Sequence, residues 1–277
     1  MAATTPKEPE SKAAQRRAAQ KAHARRIHES LQRNLPRNRS ISAEQLERIV
    51  SSIVAGRPGE MIVMAVDIRK STILMKEAIN FTEFARILSD LLRSCRSSVE
   101  QNGGWFDKFT GDGFLAYWSY TGSTLDDVVR AVLRSAQEIL ETFNLMTLGD
   151  FRAHSRNLPA GVGLSIGLDA GTTHLVEIAE DITIVGPAVV GAVRMVSAAS
   201  GPNDVVANVY LGEYLARNQT RGFVGQITSV SKVFKSTKEY ESQEVYTLEL
   251  KMLDGIKGSL SRQRRGAVGA ILRKARK

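Results

Sequence analysis

Trp105-Phe106-Asp107-Lys108-Phe109-Thr110-Gly111-Asp112-Gly113-Phe114-Leu115-Ala116-Tyr117-Trp118 is the stretch whose reading decides the fold. Two short aromatic-rich runs flank Gly111-Asp112-Gly113. An Asp-Gly pair between apolar runs predicts a tight hairpin with positive φ at its centre. Read alone, Asp112 is a turn former.

Working outward, Met61 to Val66 is an unbroken apolar run of strand length, and Asp67 stands where it is expected to end. Ile68-Arg69-Lys70-Ser71-Thr72 then leads into a helical pattern. An Asp at such a junction commonly caps a helix. A strand ending in Asp, then a helix, then a hairpin tipped with Asp is more specific. If the strands are neighbours, both carboxylates project at one end of one sheet, where two hard oxygen ligands suit Mg²⁺ or Mn²⁺.

Three motifs in order resemble the class III nucleotidyl cyclases: Asp67; Lys108-Phe109-Thr110-Gly111-Asp112; and Gly186-Pro187-Ala188-Val189-Val190-Gly191-Ala192-Val193-Arg194. The resemblance spans about Met61 to Leu250. It implies attack of a ribose 3′-oxygen on the α-phosphate with loss of pyrophosphate, helped by two Mn²⁺ or Mg²⁺ ions per site. It further implies Asp67, Asp112 and the Ile68 carbonyl as metal ligands. Lys108 matches the base-reading lysine, and Thr183 stands where many members carry an Asp for the same purpose. Arg194 matches the arginine that stabilises the transition state, and Lys235 falls near a late triphosphate-binding lysine. For Lys232, Lys235 and Lys238 a solvated strand edge is the competing reading. Backbone N–H groups of Ile68 to Thr72, Ser71 included, are placed to cradle phosphate. Arg69 and Lys70 either add charge there or are solvated. The departure is Val190, where the family has a ribose-orienting Asn. The family's sites are shared between two chains, so both residue sets in one chain imply a symmetric homodimer.

Residues 1–40 carry ten Lys and Arg against three Asp and Glu, and residues 251–277 carry nine against one. With a total of +9, the chain between them is therefore −6. The basic ends raise a competing function, weak binding to nucleic acid or an anionic membrane. Against it, they lack interleaved aromatics. The expected organisation is a basic, solvated arm over 1–40, a short helix over 41–58, a catalytic domain over 59–250 and a basic tail over 251–277. A capping box at Ser42 to Gln45 starts the short helix.

At 43% hydrophobic the 277-residue chain can bury a sizeable core, and nothing reads as a membrane span or signal peptide. A single cysteine, Cys95, excludes a disulfide framework and fits a reducing cytoplasm. Phe81, Phe84, Leu88, Leu91, Cys95 and Val99 form one helical stripe ended by Asn102-Gly103-Gly104. Val128, Val132, Ala136, Ile139, Leu140 and Phe143 form a second stripe. Strands are expected over Val162 to Asp169, Thr173 to Ile178, Phe223 to Val230 and Glu244 to Leu250. A small-residue helix is expected over Gly186 to Ser200 and another helix over Asn208 to Asn218. The fold class is α+β, a ferredoxin-like βαββαβ core with C-terminal additions.

The lone-domain layout and the wording VDIRKST…KFTGDG are most similar to the stand-alone pyrimidine cyclases of bacterial anti-phage systems (the Pycsar type). That resemblance implies a homodimer using Mn²⁺, making cyclic UMP or cyclic CMP for a separate effector. Two alternatives stand beside it. One is an adenylate cyclase. The other is a degenerate cyclase fold acting as a regulatory binding module, motivated by Val190. A diguanylate cyclase shares the strand order, but its Gly-Gly-Asp-Glu-Phe signature is missing here.

Overall fold

The computed structural model describes residues 12–34, 47, 50, 51, 53–178, 181–218, 226–237 and 240–251. In chain order the elements are α1 (Lys12–Asn34), β1 (Gly59–Arg69), α2 (Ser71–Glu77), α3 (Phe81–Gln101), β2 (Trp105–Phe109), β3 (Phe114–Ser119) and α4 (Leu125–Thr142). A π-turn at Phe143–Thr147 joins α4 to α5 (Leu148–Ala153). Then follow β4 (Gly163–Ile178), β5 (Asp181–Val185), α6 (Pro187–Ala198), β6 (Asp204–Ala207), α7 (Val209–Asn218), β7 (Ile227–Thr237) and β8 (Tyr240–Leu250).

The main sheet runs β2-β3-β1-β4-β6-β8-β7, with β5 paired to β4 off that path. Its first four strands have the ferredoxin-like order. β1 is antiparallel to β3 and β4, whereas β6 lies parallel to β4. The expected α+β class and sheet order hold.

Strand alternation sends Ile62, Met64 and Val66 to one face, where they meet Leu91, Cys95 and Val99 of α3 and Val129, Val132 and Ile139 of α4 in the main core. Met61, Val63 and Ala65 face the other way, toward Ala188 and Ala192 of α6. That helix sits unusually close to β4: a Cβ on Gly167 would stand 2.1 Å from the Ala192 carbonyl oxygen. The small residues of α6 and the glycines of β4 are thus one packing solution.

Several expectations change. Phe81 opens α3 but is 63% exposed, because Asn80 caps the helix there and accepts a hydrogen bond from the Thr82 N–H at 2.8 Å. The two strands expected between Val162 and Ile178 are one continuous strand, since Ala170 to Thr172 stay paired to β1 across Gly171. β5 is a strand beyond those expected, paired to the outer half of β4. The last hairpin extends to Thr237 on β7 and begins at Tyr240 on β8, so both strands are longer than their apolar cores.

The arm is not wholly solvated. α1 carries Ile27, which is fully buried against Val50, Ile53 and Trp105. His23 Nδ1 also lies 3.1 Å from Glu177 on β4. The capping box at Ser42 to Gln45, Lys238, the Phe223 end of the expected strand and the tail beyond 251 lie outside the described residues. Cys95 is buried in the core, which pushes its thiol up to about 12. Among the described residues no helix is long and apolar enough to cross a membrane.

Candidate active site

β1 pairs with β3 only as far as Val66 opposite Phe114, but continues beside β4 to Arg69 opposite Gly163. Asp67 therefore does not end its strand as expected. It sits where one neighbour of β1 has turned away and the other remains. The space left is filled by the tip of the β2–β3 hairpin, which carries Asp112.

The tip differs from the expected turn. Positive φ falls on Gly111, at 94°, and not on the Asp-Gly pair. The Thr110 N–H closes the loop on the Gly113 carbonyl at 2.9 Å. Gly113 is needed for another reason: a Cβ there would stand 2.0 Å from the Val66 carbonyl oxygen. The two glycines let the hairpin tip lie against β1 beside Asp67.

The two carboxylates come within hydrogen-bonding reach. Burial first, and Asp112 second, push Asp67 from 3.8 up to about 6, against a smaller pull from the Ile68 backbone and Arg69. A half-buried carboxylate pair of this kind favours a bound cation, because a divalent ion removes the repulsion that raises Asp67. The donor set is two carboxylates, hard oxygen ligands that fit Mg²⁺ or Mn²⁺. Among the described residues there is no cluster of three or more His, Cys, Asp or Glu.

Ser71 and Thr72 open α2 directly after Lys70, a left-handed residue at φ 60°. The two basic residues there are engaged elsewhere. Arg69 donates to the Ala199 carbonyl at 2.8 Å and to Ser200 at 3.3 Å, tying β1 to the end of α6. Lys70 donates to the Ala160 carbonyl at 2.8 Å. Both read as anchors.

A second group forms between β2 and β5. The register of β2 against β3 slips between Phe106 and Lys108, so Asp107 is the extra residue of a bulge. Thr183 donates its hydroxyl to Asp107 Oδ2 at 3.0 Å, the Ile184 N–H donates to Oδ1 at 3.2 Å, and Lys108 Nζ lies 3.5 Å from Oδ2. Burial raises the Asp107 carboxyl, and Thr183, Lys108 and Ile184 pull it back. Lys108 and Thr183, paired in sequence only by resemblance, are thus brought together by a residue that sequence reasoning missed. The adjacent acidic residue was visible, but its bulge was not.

Arg194 lies on α6, with Val190 one turn before it and 49% exposed. Under α6, burial pushes Asp169 of β4 up to about 7. Asn208 donates to Asp169 Oδ1 at 3.0 Å, and a Cβ on Gly191 would meet Oδ2 at 2.0 Å. Lys235 lies on β7, four strands away from β1 at the sheet edge, paired in register with Gln243. Within one chain it is not brought to the aspartate pair.

At the level of sequence, no protein-family model and no curated protein matches the chain. Solved structures do match in three dimensions. The adenylyl cyclase CyaB from P. aeruginosa superposes with TM-score 0.57 at 17% identity, over 72% of this chain and 98% of that one. The guanylyl cyclase Cya2 gives 0.53 at 19% identity, over 72% and 94%. The catalytic core of a rhodopsin-guanylyl cyclase with converted specificity, in complex with ATPαS, gives 0.51 at 17% identity, over 70% and 99%. The chain has the fold of a nucleotidyl cyclase catalytic domain.

Proposed function

We propose that the chain is a nucleotidyl cyclase that converts a nucleoside triphosphate to its 3′,5′-cyclic monophosphate and pyrophosphate, with UTP or CTP as substrate. The observation that carries this is the meeting of Asp67 and Asp112 at the tip of the β2–β3 hairpin on a cyclase fold. In the reaction a bond forms between the 3′-oxygen and the α-phosphorus. The bond to the bridging oxygen of pyrophosphate breaks, and the hydroxyl proton passes to solvent. Such phosphoryl transfer depends on in-line placement and on neutralising charge. Two divalent ions held by Asp67, Asp112 and the Ile68 carbonyl supply that neutralisation when bound.

The remaining roles divide between two copies of the chain. One gives the aspartates, with Ser71 and Thr72 near the phosphates. The other gives Lys108 and Thr183 to the base, Arg194 to the phosphate in flight and Lys235 to the triphosphate. A guanidinium on a rigid helix suits a bidentate phosphate contact. Val190 and Val193, 49% and 48% exposed on the helix that bears Arg194, support a surface that a second copy covers. The pyrimidine assignment rests on the wording VDIRKST…KFTGDG, and with it goes a cytoplasmic second messenger acting on a separate antiviral effector.

A second reading, an adenylate cyclase, is favoured by the superposition on CyaB. A third, a binding module without turnover, is favoured by Val190. One experiment separates them: the purified chain with Mn²⁺ and each of the four nucleoside triphosphates, products identified by mass spectrometry. Cyclic UMP or cyclic CMP is expected. Cyclic AMP alone selects the second reading. Nucleotide binding without any cyclic product selects the third.

A further inference from the structure

Asp107 has no task in this scheme, yet its side chain is wholly enclosed and three donors converge on it. A threonine hydroxyl has one proton and two lone pairs. Thr183 gives its proton to Asp107 Oδ2 at 3.0 Å, so it offers a ligand lone pairs only. The Ile184 N–H, held by the backbone at 3.2 Å, fixes Oδ1 as an acceptor and leaves Oδ2 to Thr183 and Lys108. Lys108 is an ammonium with three protons, so it still donates outward.

We infer that Asp107 is a positioning residue that fixes the polarity of Thr183, so that Lys108 and Thr183 read a nucleotide base as one donor beside one acceptor. The inference rests on the cyclase reading of Lys108 and Thr183. The bulge supplies its geometry. An unbroken β2 would alternate Asp107 and Lys108 to opposite faces, and the extra residue lets the Lys108 ammonium come within 3.5 Å of the Asp107 carboxylate that Thr183 also bonds.

The lock has a chemical consequence. A donor beside an acceptor matches uracil at O4 and N3–H, adenine at N1 and its amine, cytosine at N3 and its amine, and guanine at O6 and N1–H. It rejects two adjacent acceptors, which cytosine shows at O2 and N3 and guanine at O6 and N7. Uracil has no such pair, nor has adenine.

Asp107→Asn inverts the lock. Its Oδ1 keeps the Ile184 N–H, so the amide nitrogen takes the place of Oδ2 and donates to Thr183, while Lys108 loses its acceptor there and points all its protons outward. The hydroxyl proton then turns outward, and the pair becomes two donors. The expected result is a shift of selectivity toward CTP and GTP over UTP and ATP by about 10- to 100-fold, the range for a mispaired buried polar group.

The test uses the full chain and two readouts. One is kcat/KM with Mn²⁺ for the four triphosphates. The other is calorimetric binding of the four 3′-deoxynucleoside triphosphates, which lack the attacking hydroxyl. Asp107→Asn is compared alone and with Thr183→Val, which removes the hydroxyl. The shift must appear in the single variant and be absent in the Thr183→Val background. An unchanged four-nucleotide profile in folded Asp107→Asn overturns the inference. So does a shift that survives Thr183→Val, because it would then act through Lys108 alone.

If wild type binds the deoxy analogues but makes no cyclic product, the catalytic reading fails and the binding profile still decides the inference. If it binds none of the four, both fall. Should Asp107→Asn not fold, Thr183→Ser carries the test. It keeps the locked hydroxyl and must keep the wild-type order of preference, whereas Thr183→Val must lose it. A changed order in Thr183→Ser overturns the inference.

Discussion

Replacing Asp112 with Asn removes the charge facing Asp67 and keeps a turn-forming side chain. Asp67 is raised from 3.8 to about 6, by burial first and Asp112 second. A carboxyl raised on folding holds a proton in the native state that the unfolded chain releases. Its contribution to stability is therefore fully present below about pH 4 and is lost as pH rises to about 6. The rise from 3.8 to about 6 corresponds to about 3 kcal/mol for a fully enclosed carboxyl. Asp67 keeps contact with solvent, and screening reduces this to about 1–2 kcal/mol. Burial persists in the variant, so the part relieved is about 0.5–1 kcal/mol, or roughly 2 °C in a domain of this size. In EDTA at pH 8, Asp112→Asn should melt about 2 °C above wild type, with the difference gone below pH 4. Bound Mn²⁺ would relieve the same repulsion. It should raise the wild-type Tm more at pH 8 than at pH 5, and raise that of the variant little. Turnover should fall on the order of 10²- to 10³-fold, as when one preorganised charge-stabilising group is lost. Differential scanning fluorimetry across pH, with and without Mn²⁺, reads all of this. A variant that melts at or below wild type at pH 8 in EDTA, or that keeps the full Mn²⁺ shift, refutes the paired-carboxylate account.

Four further outcomes are expected. Asp169→Asn keeps an oxygen for Asn208 and removes a buried charge raised to about 7, so thermal melts should show a gain of about 1–3 kcal/mol at pH 8 and none below pH 4. Gly113→Ala drives a Cβ to 2.0 Å from the Val66 carbonyl oxygen; melts should show a loss of about 1–3 kcal/mol, and assays a drop in turnover of about 100-fold from misplacing Asp67. Arg194→Ala and Asp67→Ala, each inactive alone, should recover about a quarter of wild-type activity when mixed, since half the dimers are mixed and one of their two sites is intact. Ile27→Ala removes a fully buried side chain, and hydrogen exchange across α1 should rise about 10-fold or more as the helix undocks.

The parts of this molecule legible in its sequence are those set by local periodicity. The runs feeding β1, α3 and α4 each carry an apolar face that can go only to a core, and Asn102-Gly103 ends α3 with the positive φ expected of Gly103, at 76°. The aspartate pair is legible on the condition that β1 and the hairpin are neighbours, and β1 does pair with β3. What stayed hidden depends on partners distant in sequence. Asp67 looks like a strand terminus until β4 is seen to carry β1 on to Arg69. Arg69 reads as added charge at the phosphates or as a solvated side chain, and the carbonyls of Ala199 and Ser200 that it bonds are distant in sequence. α1 has too few apolar residues to announce a packed face, and Ile27 and Ala24, with His23 beside Glu177, make its contacts. The bulge at Asp107 leaves no compositional trace, because the extra residue is polar in a strand that already alternates unevenly.

The same logic bears on Val190. A helix advances about 100° per residue, so positions 190 and 194 share a face of α6 and Gly191 lies off it. The opposite side of the helix is fixed. Gly167 admits the Ala192 carbonyl at a distance no Cβ tolerates, and Asp169 fills the space that a side chain at 191 would take. Rotating α6 to bring another residue to the ribose would drive a side chain into β4 on one side or the Asp169 carboxylate on the other. The hydrogen bond that an Asn at 190 would make is therefore not recoverable from α6. On the cyclase reading proposed above, its absence would remove about 1 kcal/mol of polar contact from one ribose. An exposed valine there also adds apolar area to the surface that bears Arg194, and covering that surface with a second copy favours assembly. On that cyclase reading, Val190 would move binding energy from substrate to interface and leave Arg194 free of that trade on the same face of the helix.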